Sequence, residues 1–153
     1  MNAIVQDLRN GSNSHIWDAA SYYVDRTLTP VQIAQIEPAV KETLFAYEKV
    51  NGDVMIIDGN GSKKCALLGD NLAKKATDNG WSGFIIYGCI RDSEIISTIN
   101  IGIKALDTMP LKSEKKNIGE FGKDLSFANV LFKEGYYAYS DQDGIIIRQH
   151  EIV

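Results

Sequence analysis

Strand-like and helix-like patterns of hydrophobic and polar positions alternate along the middle of the chain. Val54–Ile57 and Phe84–Tyr87 are apolar runs short enough to be buried strands. Asp70–Asp78 lies between them and carries the mainly polar pattern of a surface helix. A short helix over Glu94–Ser97 and a strand over Gly102–Leu106 follow. Strands that alternate with helices at this spacing favour a sheet with parallel neighbours.

The last third of the chain has short apolar runs with no helix between them. The runs are Leu125–Phe132, Tyr136–Tyr139 and Gly144–Arg148, and polar turns join them. Asp141 and Asp143 most simply build the turn before the last run. These runs predict antiparallel hairpins. The predicted fold class is therefore α/β, a single-domain mixed sheet with flanking helices and C-terminal antiparallel strands.

The first part of the chain predicts helices around one strand. A capped helix can begin at Ser12 or Ser14, so residues 1–30 are predicted to be an N-terminal helical segment. Val31–Ile36 alternates as a half-buried strand does. Pro38 is well placed as the first residue of the next helix.

Length and charge narrow the classes of function. A chain of 153 residues fits a single domain over residues 1–153, with one sizeable core. The net charge of -4 and the pI near 5.1 argue against direct binding of nucleic acid. No apolar run approaches the roughly 20 residues of a membrane-spanning helix, and the N-terminus lacks a signal-peptide pattern. We therefore expect a cytoplasmic protein that does not bind membranes.

Cysteine and histidine offer little chemistry in this sequence. Cys65 and Cys89 lack a metal-binding or redox spacing, which favours buried, reduced thiols. His15 lies at a predicted helix start and is better explained as a surface or capping residue than as a ligand.

The stretch from Gly69 to Asp92 combines a helix start with charged residues that follow a buried strand. Ligands of open α/β sheets bind at the carboxyl edge of the strands, where Arg91 and Asp92 are expected. The helix start near Asp70 has backbone N–H groups without partners inside the helix, and such groups bind anions. A helix cap at Asp70 and a surface ion pair between Arg91 and Asp92 are the simpler explanation of the same residues.

Two further segments are candidates for the wall of a site. The glycine-rich segment Asp58–Ser62 is interpreted mainly as a tight turn after a strand, because it lacks the spacing of a nucleotide-binding loop. The longest connection, Leu111–Gly122, is lysine-rich. Lys112 and Lys115 could guide an anionic substrate, although a solvated loop is the simpler explanation of both.

The motifs together resemble a known family. They are D-V-M-I-I-D-G-N-G-S, A-L-L-G-D-N-L-A, N-G-W-S-G-F-I-I-Y-G-C-I-R-D, I-G-I-K-A-L-D-T-M-P-L-K-S and Y-S-D-Q-D-G-I-I-I, within residues 53–147. In order and spacing they are similar to the regulators of ribonuclease activity A and to their enzymatic relatives, the 4-hydroxy-4-methyl-2-oxoglutarate aldolases. The enzymatic branch carries an aspartate, twenty residues and then Arg-Asp, as Asp70, Arg91 and Asp92 do here.

The resemblance implies a fold, an activity and a site. It implies a swivelling β/β/α-like fold, a ring-shaped homotrimer and a lyase that forms pyruvate from 4-hydroxy-4-methyl-2-oxoglutarate and decarboxylates oxaloacetate. Asp70 and Arg91 would be catalytic, and Asp92 would hold a divalent cation, Mg²⁺ or Mn²⁺. The oxo-acid substrate would be bound by Arg91 together with the residues of the helix start, Gly69, Asp70, Asn71 and Leu72.

Two other functions remain open on the same resemblance. The first is a non-enzymatic regulator that binds and inhibits a ribonuclease of the ribonuclease E type. The second is a quinone-biosynthesis methyltransferase, which no glycine-rich nucleotide-binding loop in the sequence supports. The enzymes commonly have an acid where this chain has Ile95, and Glu94 precedes that position.

Overall fold

The computed structural model describes residues 50–114 and 119–152, together with the strand backbone of residues 26–28 and 31–35. The helices of these parts are α1 (Asp70–Asp78) and α2 (Ser93–Ile96). The strands are β1 (Arg26–Leu28), β2 (Val31–Gln35), β3 (Val54–Leu68), β4 (Gly83–Ile90), β5 (Gly102–Thr108), β6 (Glu120–Phe121), β7 (Leu125–Phe127), β8 (Val130–Phe132), β9 (Tyr137–Ser140) and β10 (Ile145–Arg148).

A five-stranded sheet in the order β5-β4-β3-β2-β6 forms the centre of the fold. Its strands β2 to β5 run parallel, and β6 joins the edge antiparallel to β2. The later strands pair antiparallel, β7 with β8 and β9 with β1 and β10. The predicted α/β class, with parallel neighbours in the middle and antiparallel hairpins at the end, is confirmed.

Alternate residues of the central strands pack into two separate cores. Met55 and Ile57 of β3 face a cluster that includes Ala73 and Ala76 of α1. Val54 and Ile56 face the opposite way, into a cluster with residues of β7 to β10. Because successive side chains of a strand point to opposite faces, a sheet covered on both sides needs continuous apolar runs. The layers are therefore helices, central sheet and antiparallel strands, the β/β/α arrangement that the resemblance implied.

The interpretation of Asp58–Ser62 as a turn that follows a finished strand is wrong, because β3 continues through it to Leu68. The register between β3 and β4 shifts after Asp58, where Asn60 and Gly61 have φ values of 55° and 64°. These left-handed residues let the strand bulge and then return to β4 without ending. A single strand with a bulge has an apolar run on each side of the bulge. Hydrophobic periodicity alone cannot distinguish this pattern from two separate strands.

The prediction of one strand over Leu125–Phe132 is also wrong. The segment is a tight hairpin of β7 and β8, with Phe127 paired to Val130. Ala128 and Asn129 form its turn and have φ values of 51° and 59°. Two consecutive left-handed residues are typical of a two-residue hairpin turn. Such turns usually contain Asn-Gly or Asp-Gly, so the alanine at position 128 does not reveal the turn in the sequence.

The predictions for the N-terminal segment and for the cysteines are confirmed only in part. Residues 26–28 form β1 instead of continuing a helix, because they pair with β9. The predicted strand at Val31–Ile36 is observed as β2, and the helices predicted from Ser12 or Ser14 and from Pro38, like His15, lie outside the described residues. Neither Cys65 nor Cys89 forms a disulfide; Cys89 is buried, whereas Cys65 is half-exposed. No helix in the described part of the chain is long and apolar enough to cross a membrane.

The acidic turn before β10 forms as expected. Asp141 accepts hydrogen bonds through Oδ1 from the backbone N–H groups of Asp143 and Gly144, each at 2.9 Å. A carboxylate that bonds the backbone two and three residues on is the usual way in which aspartate closes a turn.

Candidate active site

The candidate site lies where β3 and β4 end. The two strands are parallel neighbours, and their last residues, Leu68 and Ile90, are paired. The backbone N–H of Arg91 donates to the carbonyl oxygen of Leu68 at 2.9 Å. The connection from β3 to α1 is the single residue Gly69, and that from β4 to α2 is Arg91 and Asp92. Both connections therefore start at the same carboxyl edge of the sheet, the usual place for a ligand.

Gly69 approaches the side chains of both charged residues. A Cβ atom at this position would lie 2.8 Å from Oδ2 of Asp92 and 3.0 Å from Nε of Arg91. The backbone angles of Gly69, φ -131° and ψ 179°, are open to any residue. Glycine is needed here for space and not for conformation. The structure thus brings the helix start, the guanidinium and the Asp92 carboxylate into contact.

Arg91 and Asp92 form an ion pair that is only partly exposed to solvent. Nη1 of Arg91 lies 3.1 Å from Oδ2 of Asp92, and their side chains are 34% and 28% exposed. The same Oδ2 accepts a long hydrogen bond, 3.4 Å, from the backbone N–H of Asp70. Asp92 also has a left-handed backbone, with φ 56°. A non-glycine residue held in this region costs energy, and such residues cluster at functional sites.

Asp70 is the first helical residue and not the cap, because Gly69 occupies the N-cap position. Lys74 donates to Oδ2 of Asp70 at 3.1 Å, and the Asp70 side chain is 15% exposed. This hydrogen bond lowers the pKa of Asp70, and the backbone N–H of Asn71 acts in the same direction, while burial opposes them. Asp70 is therefore an ionised acceptor, which is better suited to holding a water or a cation than to removing protons.

A cavity of about 230 Å³ adjoins this cluster. Its lining combines apolar side chains with two cationic side chains and the first turn of α1. Its lining residues are Ala66, Leu67, Leu68, Gly69, Asn71, Leu72, Arg91 and Lys112. Pockets for drug-sized ligands start at roughly 300 Å³, so this volume suits a small organic acid. Asp70 and Asp92 are not among the lining residues; Asp92 is paired with Arg91, which does line the cavity, and accepts a hydrogen bond from the backbone N–H of Asp70.

Lys112 is a residue of the site whose position the sequence left open. The segment after β5 returns to β3: the N–H of Ala66 donates to the carbonyl of Leu111 at 2.7 Å, and Ala66 and Lys112 form a parallel bridge. This pairing places Lys112 on the wall of the cavity, where the residue remains exposed to solvent. Lys115 lies outside the described residues. The lysine-rich composition was the available signal, but it could not say which lysine pairs with β3.

The residues that could hold a divalent cation are few. Within residues 50–114 and 119–152, no group of three or more His, Cys, Asp or Glu side chains is placed to hold a metal ion. Asp92 and Asp70 are the carboxylates at the site, and they interact with each other. Mg²⁺ commonly keeps several waters and binds through one or two carboxylates, so the donors present fit a largely hydrated hard cation. Glu94 is exposed on α2.

Comparison with known proteins places this geometry in context. A family model described as "RraA-like: Aldolase/RraA" matches residues 10–147. Over 126 residues, 82% of this chain and 77% of the relative, the sequence is 44% identical to a protein of Alkalilimnicola ehrlichii named as a candidate 4-hydroxy-4-methyl-2-oxoglutarate aldolase. A relative with the same name from Methylococcus capsulatus is 43% identical over the same fractions.

Solved structures with different names share the fold. The chain superposes with a TM-score of 0.80 and 30% identity on the RNA-processing inhibitor RraA of Thermus thermophilus, covering 87% of this chain and 82% of that one. It superposes with a TM-score of 0.81 and 36% identity on a Geobacillus kaustophilus protein named S-adenosylmethionine:2-dimethylmenaquinone methyltransferase, covering 86% and 83%. The fold alone therefore does not choose among the functions.

Proposed function

The chain belongs to the RraA-like family of aldolases and RraA proteins, and we propose that it is a divalent-metal-dependent lyase for small oxo acids. The reactions proposed are cleavage of 4-hydroxy-4-methyl-2-oxoglutarate into two molecules of pyruvate and decarboxylation of oxaloacetate to pyruvate. The observation that carries the proposal is the contact of Gly69 with Arg91 and Asp92 beside a small cavity. The proposed assembly is a homotrimer with its sites at subunit boundaries.

Both reactions break a carbon–carbon bond and leave the enolate of pyruvate. Negative charge therefore develops on the former carbonyl oxygen, and fixed positive groups that face this oxygen lower the barrier. The Arg91 guanidinium lies at the cavity and supplies such a charge. The first turn of α1, with Asn71 and Leu72 on the cavity wall, supplies backbone N–H groups for the substrate carboxylate.

The remaining groups position the substrate and control protons. Lys112, on the cavity wall, attracts the second carboxylate that both proposed substrates carry. Asp70 is ionised and orients a water through which the proton moves. Asp92, supported by Asp70, would hold the divalent cation, which supplies Lewis-acid stabilisation of the oxo group when bound.

Pyruvate release from oxaloacetate tests this proposal. Purified protein is assayed with Mg²⁺, with Mg²⁺ and excess chelator, and as the Arg91→Ala and Asp92→Ala variants; Mg²⁺ without protein corrects for spontaneous decarboxylation. Loss of one preorganised charge at a developing oxyanion typically costs about 10² to 10³ in kcat. We expect losses of this size in both variants and with chelator. Activity that survives all three treatments unchanged would defeat the metal mechanism.

A non-enzymatic regulator of a ribonuclease is the second candidate, favoured by the structural likeness to the RNA-processing inhibitor of Thermus thermophilus. This function predicts that the purified protein slows RNA cleavage by a ribonuclease E type enzyme. Arg91→Ala should leave that inhibition intact, because a regulator of this kind does not use the oxo-acid site. The two assays on the same variant therefore separate the two functions.

A further inference from the structure

Leu67 occupies a notch formed by two glycines on neighbouring strands. A Cβ atom built on Gly59 would lie 2.5 Å from Cδ1 of Leu67, and one built on Gly88 would lie 2.8 Å from the same methyl group. Gly59 belongs to β3 and Gly88 to β4, and both are buried. One terminal methyl of Leu67 therefore fills the space that two side chains would otherwise take.

Space and not backbone conformation explains these two glycines. Neither has a positive φ, whereas Gly61 nearby does, at 64°. Real Cβ atoms keep more than about 3 Å from other heavy atoms, since closer approach meets steep repulsion. A side chain at either position would therefore force Leu67 to move. Leu67 is 8% exposed and lies on the wall of the cavity beside Arg91.

We propose that Leu67 determines the size of substrate that the cavity accepts, and that Gly59 and Gly88 hold it back from the cavity. The ligands concerned are 2-oxo acids that differ in the bulk of the group beyond the oxo carbon. This inference rests on the proposed oxo-acid site and specifies which sizes of oxo acid that site selects. Because packed interiors have few voids, the cavity is the space into which a displaced Leu67 can move.

Of the two glycine substitutions, Gly88→Ala gives the more specific test of the role of Leu67. Its new methyl would meet the flexible end of Leu67 first, and the next atoms are 3.6 Å and 3.7 Å away. Rotation of Leu67 relieves the clash, so the chain can fold with a smaller cavity. Gly59→Ala would meet both Leu67 and the backbone carbonyl oxygen of Tyr87, at 2.9 Å, and the carbonyl cannot rotate away. That change tests stability and not selectivity.

The experiment measures binding of three 2-oxo acids of increasing bulk by calorimetry with Mg²⁺: pyruvate, 2-oxobutanoate and 3-methyl-2-oxobutanoate. The proteins are the natural chain, Gly88→Ala, Leu67→Ala and the double variant Gly88→Ala/Leu67→Val. Gly102→Ala is the matched control, because it also replaces a strand glycine and its Cβ would meet nothing closer than 3.6 Å. Circular dichroism and thermal unfolding establish that each variant folds.

One methylene in a pocket changes discrimination roughly 10-fold or more. We expect Gly88→Ala to weaken the bulkiest acid relative to pyruvate by about 10-fold, and Leu67→Ala to shift the ratio the other way. The double variant should return to the natural ratio, since the shorter valine makes room for the new methyl. Gly102→Ala should leave the ratio unchanged. If Gly88→Ala does not fold, Leu67→Ala decides the matter alone.

The outcomes separate this inference from the proposed function. Equal ratios in all folded variants overturn the role of Leu67, even if the protein cleaves oxaloacetate. Binding with the expected ratios but without turnover supports the role of Leu67 and contradicts the lyase. A natural chain that binds none of the three acids overturns both.

Discussion

The backbone N–H of Arg91 donates to the carbonyl oxygen of Leu68 at 2.9 Å, so the first residue after β4 is fastened to the last residue of β3. This bond fixes the position of the Arg91 backbone, and so the start of its side chain, relative to the end of β3. Gly69 follows Leu68 directly and lies against the same side chain. A short hydrogen bond between two strand ends therefore sets the geometry of the whole candidate site.

Gly69→Ala is expected to damage the site more than the fold. Alanine adopts the backbone angles of Gly69 without strain, but its methyl would displace Arg91 and Asp92. A misplacement of about 1 Å can cost roughly 100-fold in rate. We expect kcat/KM for oxaloacetate to fall by about that factor, with a small shift in the unfolding temperature. Gly102→Ala serves as the control, and equal activity of the two variants would contradict the prediction.

Lys112→Met should weaken substrate capture without removing the chemistry. The lysine lies on the cavity wall, whereas the Arg91 guanidinium is paired with Asp92. We expect KM for a dicarboxylate such as oxaloacetate to rise about 10-fold, since a charge-assisted hydrogen bond is worth roughly 1.5–3 kcal/mol. The value of kcat should change little. Lys133→Met removes a lysine paired with Asp124 on the other layer, and its kinetics should match those of the natural chain.

From the burial of Lys104 we expect the free energy of unfolding to increase at alkaline pH. It is 3% exposed, and its Nζ donates to the backbone carbonyl of Asp141 at 2.8 Å. Burial lowers the pKa of Lys104 below its ordinary value of 10.5, while the charges of Asp141 and Asp143 partly oppose the shift. Between the lowered folded pKa and 10.5 the unfolded chain binds more protons, so the free energy of unfolding rises with pH.

Urea unfolding across pH 8 to about 10.5 checks this prediction in the natural chain and in Lys104→Met. The contribution of Lys104 is the difference between the two curves, because other groups titrate in both proteins. We expect the natural chain to gain stability relative to the variant as pH rises through the window. Parallel curves would show that Lys104 keeps an ordinary pKa in the folded protein.

Ala128→Gly should stabilise the hairpin of β7 and β8. Ala128 has φ 51°, a left-handed conformation that costs an L-residue about 1–2 kcal/mol. Glycine removes that strain but adds roughly 0.5–1 kcal/mol of chain entropy to the unfolded state. The net gain should be about 0.5 kcal/mol in the free energy of unfolding. Ser126→Gly, at an exposed position of β7, should instead lose stability; a loss in both variants would refute the strain argument.

The structure confirms the predicted strands and helix that run straight and carry one continuous pattern of buried residues. Val54–Ile57 and Phe84–Ile86 are buried on both faces, and the polar helix Asp70–Asp78 has the observed bounds. The failures, at Asp58–Ser62 and Leu125–Phe132, lie where left-handed residues bend or reverse the chain. Such residues cost energy locally and persist only where strand pairing around them offsets that cost.

Local patterns of the chain determined which segments are strands and helices, and that Gly69, Arg91 and Asp92 stand at the ends of neighbouring elements. These properties depend on residues close in sequence, through turn chemistry and the period of apolar positions. Tertiary structure decided that Lys112 pairs with Ala66 and reaches the cavity, and that Gly59 and Gly88 make room for Leu67. Those contacts depend on the pairing between strands and on the bulge in β3, which bring together residues that are not close in sequence.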